Sequence, residues 1–165
     1  MTLLSILGAV GVLLAGLLAG IEFVVRYGVQ PSLTALDDRA HLAARQSLVR
    51  RLRILVPAVM VPTVLLAVAV LVASASASAG AGTPGDAAGS PALAFRIATV
   101  AALAAFLAFA FLGTVPINIQ VDSWNLDAPP ADWKAVVRRW QRIDVFRSSA
   151  ALLAFAFATL ALALP

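Results

Sequence analysis

Five side chains are spaced as if to meet at one depth of this chain: Glu22, Arg26, Asn118, Asp144 and Arg147. Glu22 precedes Arg26 by four residues, the favourable order for a helical ion pair. In "DWKAVVRRWQRIDVFR", about 100° per residue places Trp133, Trp140, Asp144 and Arg147 within roughly 60° on one stripe. A carboxylate, a guanidinium, an amide and a flat aromatic wall can do acid–base work and hold a developing oxyanion. The same residues also suit an aromatic interface anchor with structural ion pairs. The spacing alone leaves both readings open, as it leaves open whether Glu22 and Arg26 turn inward or snorkel to the surface.

The surrounding composition narrows the class. Hydrophobic residues make up 62% of the 165 and charged residues only 12%, against about 25% charged in soluble domains. Four apolar stretches reach the ~20 residues that cross a bilayer, at 3–25, 54–75, 95–117 and 145–164. The expected fold is an all-α, four-helix transmembrane bundle forming a single integral membrane domain. The first stretch lacks a preceding basic residue and a clear small-residue cleavage site, so it reads as a span rather than a leader. Gly8, Gly11, Ala15, Gly16 and Ala19 recur along it at helical spacing and allow close helix approach.

Charge then orients the bundle. Eleven of the twelve basic residues fall in connections 26–53 and 118–144 or just beyond, and only Arg96 lies towards the other side. By the positive-inside rule that side is cytoplasmic, with a multi-pass location in the cell membrane and both termini outside. The net charge of +4 is thus a membrane signature, and nucleic acid is not an expected partner. The outer connection 76–94 is Ala/Ser/Gly/Pro-rich and reads as a flexible tether. The absence of cysteine removes disulfides and thiolate chemistry, and a lone histidine, His41, removes multi-histidine metal sites. No nucleotide, haem or flavin motif occurs, so neither metal nor cofactor is expected.

Local signals complete the expectation. Pro31 and Pro116 should interrupt their helices, and Pro57 and Pro62 should bend the second span. Asp37 or Asp38 should cap a helix running into that span, and Asp132 one beginning at Trp133. Along "RAHLAARQSLVRRLR" the arginines are expected at lipid phosphates and His41 in solvent. Tyr27 suits the interfacial aromatic belt.

Three elements resemble a known group, the anthrone oxygenase-like family of small four-span integral membrane proteins. They are "GIEFVVRYGVQPSL" ending the first span, "PIN" closing the third, and the series W…DW…RW…R entering the fourth. The resemblance covers nearly the whole chain and implies cofactor-independent oxidation of an anthrone-type lipophilic aromatic by oxygen. It implies functional roles for Asn118, Trp124, Trp133, Trp140 and Arg147. The chain departs from the pattern at Asp144, where many relatives carry histidine or asparagine. On this reading Asp144 or Glu22 is the base, Arg147 or Arg26 holds the enolate, and Asn118, Trp124, Trp133 and Trp140 bind substrate. The alternative from another class is a non-catalytic membrane protein, a lipid-binding or assembly subunit whose polar stripe is structural. A small transporter would require a homo-oligomer. Membrane lipids are expected partners in every case.

Overall fold

A computed structural model describes residues 2–80 and 90–164, with the side chains of 78–80 left aside. The described residues contain helices and no strand, and four helices are long and apolar enough to cross a membrane. α1 spans Leu3–Val24 and continues through a π-helical segment, Val25–Val29, into the short α2, Gln30–Thr34. α3 runs Asp38–Gly80 and α4 runs Pro91–Phe109. A second π-helical segment, Ala110–Thr114, leads into α5, Val115–Asp122, and α6 runs Trp133–Ala163. Of the outer tether expected at 76–94, the ends are helical, and 81–89 lie outside the described residues.

The four long helices close a ring in chain order. α1 packs on α3, α3 on α4, α4 on α6, and α6 back on α1. This is the up-down-up-down arrangement that short connections favour. The core is built around Leu18, Met60, Leu103 and Phe106, against the alanines Ala150, Ala151 and Ala154 of α6. Small residues there bring α6 close to its neighbours, which is how helices gain contact where no water drives them together. Outside the ring the surface stays apolar: Leu13 is 68% exposed, Leu65 66% and Leu112 83%. Such a surface is at home against lipid tails rather than water.

The two helix exits depart from expectation in the same way. Neither Pro31 nor Pro116 ends its helix; each sits second in the α-turn that follows a π-helical segment. Proline lacks a donor and its ring presses on the carbonyl four residues back. A widened turn just before it relieves that contact, so the chain stays helical to Thr34 and to Asp122. The connection between the first two spans shrinks to Ala35–Asp37, where Asp37 Oδ1 accepts the Ala40 N–H at 2.9 Å and caps α3. α3 is unbroken through Pro57 and Pro62. α6 does begin at Trp133, although the Asp132 side chain makes no capping bond and its carbonyl takes Ala135 N–H instead.

Both basic connections lie at one end of the bundle and are laced together. Arg50 pairs with Asp122 at 2.6 Å, Lys134 with Asp38 at 2.9 Å, and Arg39 with Asp127 at 2.7 Å. Arg39, Asp127, Lys134 and Asp38 are mostly exposed, so those two pairs orient more than they stabilise. Gln46 does more, donating to the carbonyls of Val121 and Trp124 from a buried position.

The second π segment depends on a glycine. A Cβ at Gly113 would sit 2.5 Å from Ile143 Cγ2 on α6. Gly113→Ala should therefore destabilise the bundle by about 1–3 kcal/mol through overpacking, read as denaturant unfolding in detergent. Gly20→Ala, where nothing lies within 4 Å, should leave it unchanged, and Ile143→Ala should rescue the first variant.

Candidate functional site

At the basic end, α1, α3, α5 and α6 converge on a buried polar cluster. The π segment after α1 displaces the helix so that Gln30 faces inward, and the heptad-like spacing of α6 turns Trp133, Val137, Trp140, Asp144 and Arg147 to the interior. Its other face carries Arg138, Arg139 and Arg142, all exposed, so the expected division of that helix holds.

Arg147 is the hub. Its Nη2 lies 2.8 Å from Glu22 Oε2 and donates to Asp144 Oδ1 at 2.7 Å, with Nε also donating to Asp144 at 3.3 Å. All three side chains are nearly sealed: Glu22 is 1% exposed, Asp144 2% and Arg147 6%. One guanidinium for two carboxylates would leave a negative charge in an apolar core, an expensive arrangement. Arg45 adds a second positive charge near Asp144, though no ion pair joins the two among the described residues. Glu22 is held by charge rather than by directed hydrogen bonds, and its Oε1 has no partner among the described residues.

Arg45 is itself only 2% exposed. Its Nη2 donates to Gln30 Oε1 at 2.8 Å, its Nε donates to His41 Nε2 at 3.3 Å, and its guanidinium lies 5.2 Å from the Trp140 ring centroid. Trp140 in turn donates from Nε1 to Asn118 Oδ1 at 2.9 Å. His41 meets the Trp133 ring edge-on at 5.4 Å between centroids. Thus His41 and Arg45, expected in solvent and at lipid phosphates, are core residues instead. The correction has a simple cause: the face of α3 they share is covered by α6 and α2.

A cavity of about 150 Å³ opens beside this cluster between α3 and the α4–α5 exit. Its polar wall is Arg45, Arg147, Asn118 and Trp140, with Arg53 and Asp122 also contributing. Its apolar wall is Leu52, Val56, Met60 and Phe111. The widened π turn supplies Ala110, Phe111 and Thr114 to the same wall, so the device that accommodates Pro116 also shapes the cavity. Pro57 lines it as well.

Three donors in that wall are uncommitted. Nη1 of Arg45 and Nη1 of Arg147 make no hydrogen bond among the described residues. Asn118 spends its carbonyl oxygen on Trp140, so its NH₂ is the end left over. Guanidinium and amide nitrogens of this kind, on residues that line one cavity, are what an oxyanion site is built from.

The expected site residues therefore divide. Asn118, Trp140 and Arg147 line the cavity. Asp144 and Glu22 do not; they stand behind Arg147 and position it, so neither is placed to act as a base on a molecule in the cavity. Trp124 and Trp133 are buried in the apolar cluster with Leu42, Val121 and Val137, supporting the site without touching the cavity. Arg26 belongs elsewhere: it reaches α6 by donating to Ser148 Oγ and Ser149 Oγ at 3.1 Å and to the Val145 carbonyl at 3.3 Å. The Glu22–Arg26 pair that the spacing predicts does not form, because Glu22 takes Arg147 across the bundle. Gln30, Arg45 and Gln46 were missed as interior polar residues. Arg45 and Gln46 carry a signal, their helical spacing with Leu42 and Val49 on one face of α3, whereas Gln30 is turned inward by a π segment that regular helical counting does not register. No group of three or more metal-ligating side chains occurs among the described residues.

No family model, no curated protein and no solved structure matches this chain.

Arg147→Met should strand two buried carboxylates and cost about 3–5 kcal/mol, measured by unfolding in detergent. Adding Glu22→Gln should recover most of the loss, because Asp144 then keeps the nearby charge of Arg45 and the neutral amide needs no countercharge.

Proposed function

We propose that the protein binds a lipophilic aromatic ketone of the anthrone type in the cavity at its basic end, holds it as the enolate, and promotes its oxidation by molecular oxygen. One observation carries this reading: Arg45, Arg147 and Asn118, each with an uncommitted nitrogen, share a cavity with the Trp140 ring and the apolar wall of Leu52, Val56, Met60 and Phe111. A C–H beside a carbonyl in a fused aromatic system is acidic, and cationic donors on the carbonyl oxygen make it more so. The carbanion takes up oxygen, and with a proton becomes a hydroperoxide. Loss of water then leaves a new carbonyl, so one oxygen atom ends in the quinone and the other in water. With Glu22 and Asp144 behind Arg147, the carboxylate available to receive the first proton is Asp122, the acidic residue of the cavity wall. Asp122 is tied to Arg50 and Arg53 at the mouth, from which protons pass to water. The resemblance at Asn118, Trp140 and Arg147 supports the same assignment.

A second reading is favoured by the burial of Glu22 and Asp144. The tetrad they form with Arg45 and Arg147 clamps three helices, as a structural cluster in a lipid-binding or assembly subunit would. The two readings separate in one experiment. Purified protein in nanodiscs is incubated with anthrone under oxygen, and quinone is followed by absorbance. The enzymatic reading expects turnover above empty nanodiscs, reduced on the order of a hundredfold by Asn118→Leu and unchanged by Gly20→Ala. Quinone formation no faster than in empty nanodiscs sinks it.

The basic end is assigned to the cytoplasm, in a cell-membrane protein with both termini outside, on the distribution of its arginines and Lys134. The chain has no cysteine, so single cysteines report topology cleanly. In intact cells, an impermeant thiol reagent should label Thr2→Cys and spare Ser32→Cys; the reverse pattern inverts the assignment.

A further inference from the structure

Another cavity of the bundle lies at the opposite end from the site above, and its chemistry is different. About 280 Å³ opens between all four long helices, with α1 contributing Gly8, Gly11 and Ala15 and α6 contributing Ala158 and Ala161. Small residues on facing helices leave the space. A Cβ at Gly11 would still be 3.8 Å from Leu66, so the void is not a packing necessity. The wall is apolar save for Arg96 on α4 and a few hydroxyls. Those hydroxyls are already spent: Thr63 donates to the Val59 carbonyl, Thr99 to that of Phe95, and Ser5 is bonded with Thr2.

Arg96 stands apart from the other eleven basic residues, all at the far end. It is half-buried, within a spanning helix, and pairs with no carboxylate among the described residues. A cation at the rim of a long apolar chamber demands an anion whose remaining bulk is hydrocarbon. A carboxylate matches a guanidinium in plane and can take two parallel N–H donors. The chamber lies at the small end of ligand pockets, room for one alkyl chain rather than two.

We infer that this chamber is a binding site for a single-chain amphiphile with a carboxylate head, of the long-chain fatty acid class, its head on Arg96 and its chain between α1, α3 and α6. The site is independent of the oxidation proposed above and shares no residue with it.

Native mass spectrometry of the intact protein released from detergent tests this with three probes: hexadecanoate, hexadecanol and phosphatidylglycerol. Hexadecanoate should bind one to one, and Arg96→Gln should weaken it by about tenfold or more, the loss of one charge-assisted contact. Gly11→Leu should abolish binding while retaining Arg96, and Ala158→Leu should do the same from the facing wall; unfolding in detergent confirms that each is folded. Equal binding of hexadecanol, or undiminished binding in both filled variants that fold, overturns the assignment, as does phosphatidylglycerol displacing hexadecanoate at equal concentration. Loss of hexadecanoate binding in Arg96→Gln with anthrone oxidation unaltered supports it.

Discussion

Arg147 carries a single positive charge into a nearly water-free core where Glu22 and Asp144 wait on two different helices. Much else at this end follows from that constraint. Two carboxyl groups on one guanidinium are costly in an apolar medium, and Arg45 of α3 is buried at the same end of the bundle. Arg45 must in turn be satisfied on its other nitrogens, and Gln30 and His41 accept from it. Gln30 reaches it only because α1 does not stop at Arg26 but runs on through a π segment. The charge balance of the core thus requires the irregular backbone of the helix exits.

The same irregularity opens the cavity. A regular α-turn before Pro116 would press the ring on the carbonyl behind it, and the widened turn that avoids this sets Ala110, Phe111 and Thr114 along the cavity wall. Stability and function are then coupled in an unusual order. The carboxyl groups buried deepest, those of Glu22 and Asp144, fix the orientation of Arg147, while Arg45, Arg147 and Asn118 line the cavity. Preorganised donors of this kind need no rearrangement when charge develops on a bound oxygen.

The bundle is polar in two unequal ways. One end is dense with arginine, knitted by ion pairs between its connections, and holds the cavity with the cationic wall. The other is nearly uncharged, and its chamber has a single arginine in its wall. Between them lies a plug of Leu18, Leu103 and Phe106, with exposures of 0–1%, and Arg147 rests 5.6 Å from the Phe106 ring centroid on the polar side of that plug. The two cavities therefore do not form one channel through these side chains, and each answers to its own chemistry.

Composition and charge placement determined the architecture by themselves. Four apolar runs long enough to span, separated by connections of opposite charge character, have few folds open to them, since every backbone group in lipid must bond within its own helix. The face of α6 was equally legible, because Trp133, Trp140, Asp144 and Arg147 obey helical periodicity within one element. What lay beyond the sequence were choices between elements. Glu22 has a nearby arginine on its own helix and takes a distant one, because burial rewards the partner that shares its depth rather than its turn. His41 and Arg45 look like solvent-facing residues of an amphipathic helix until α2 and α6 cover them. Pro31 and Pro116 read as breaks, and became widened turns because neighbouring helices made continuing the helix worth the irregularity. Which donors were left free for a ligand was decided only after all these pairings were made, and no local pattern records a residue's unused hydrogen bonds.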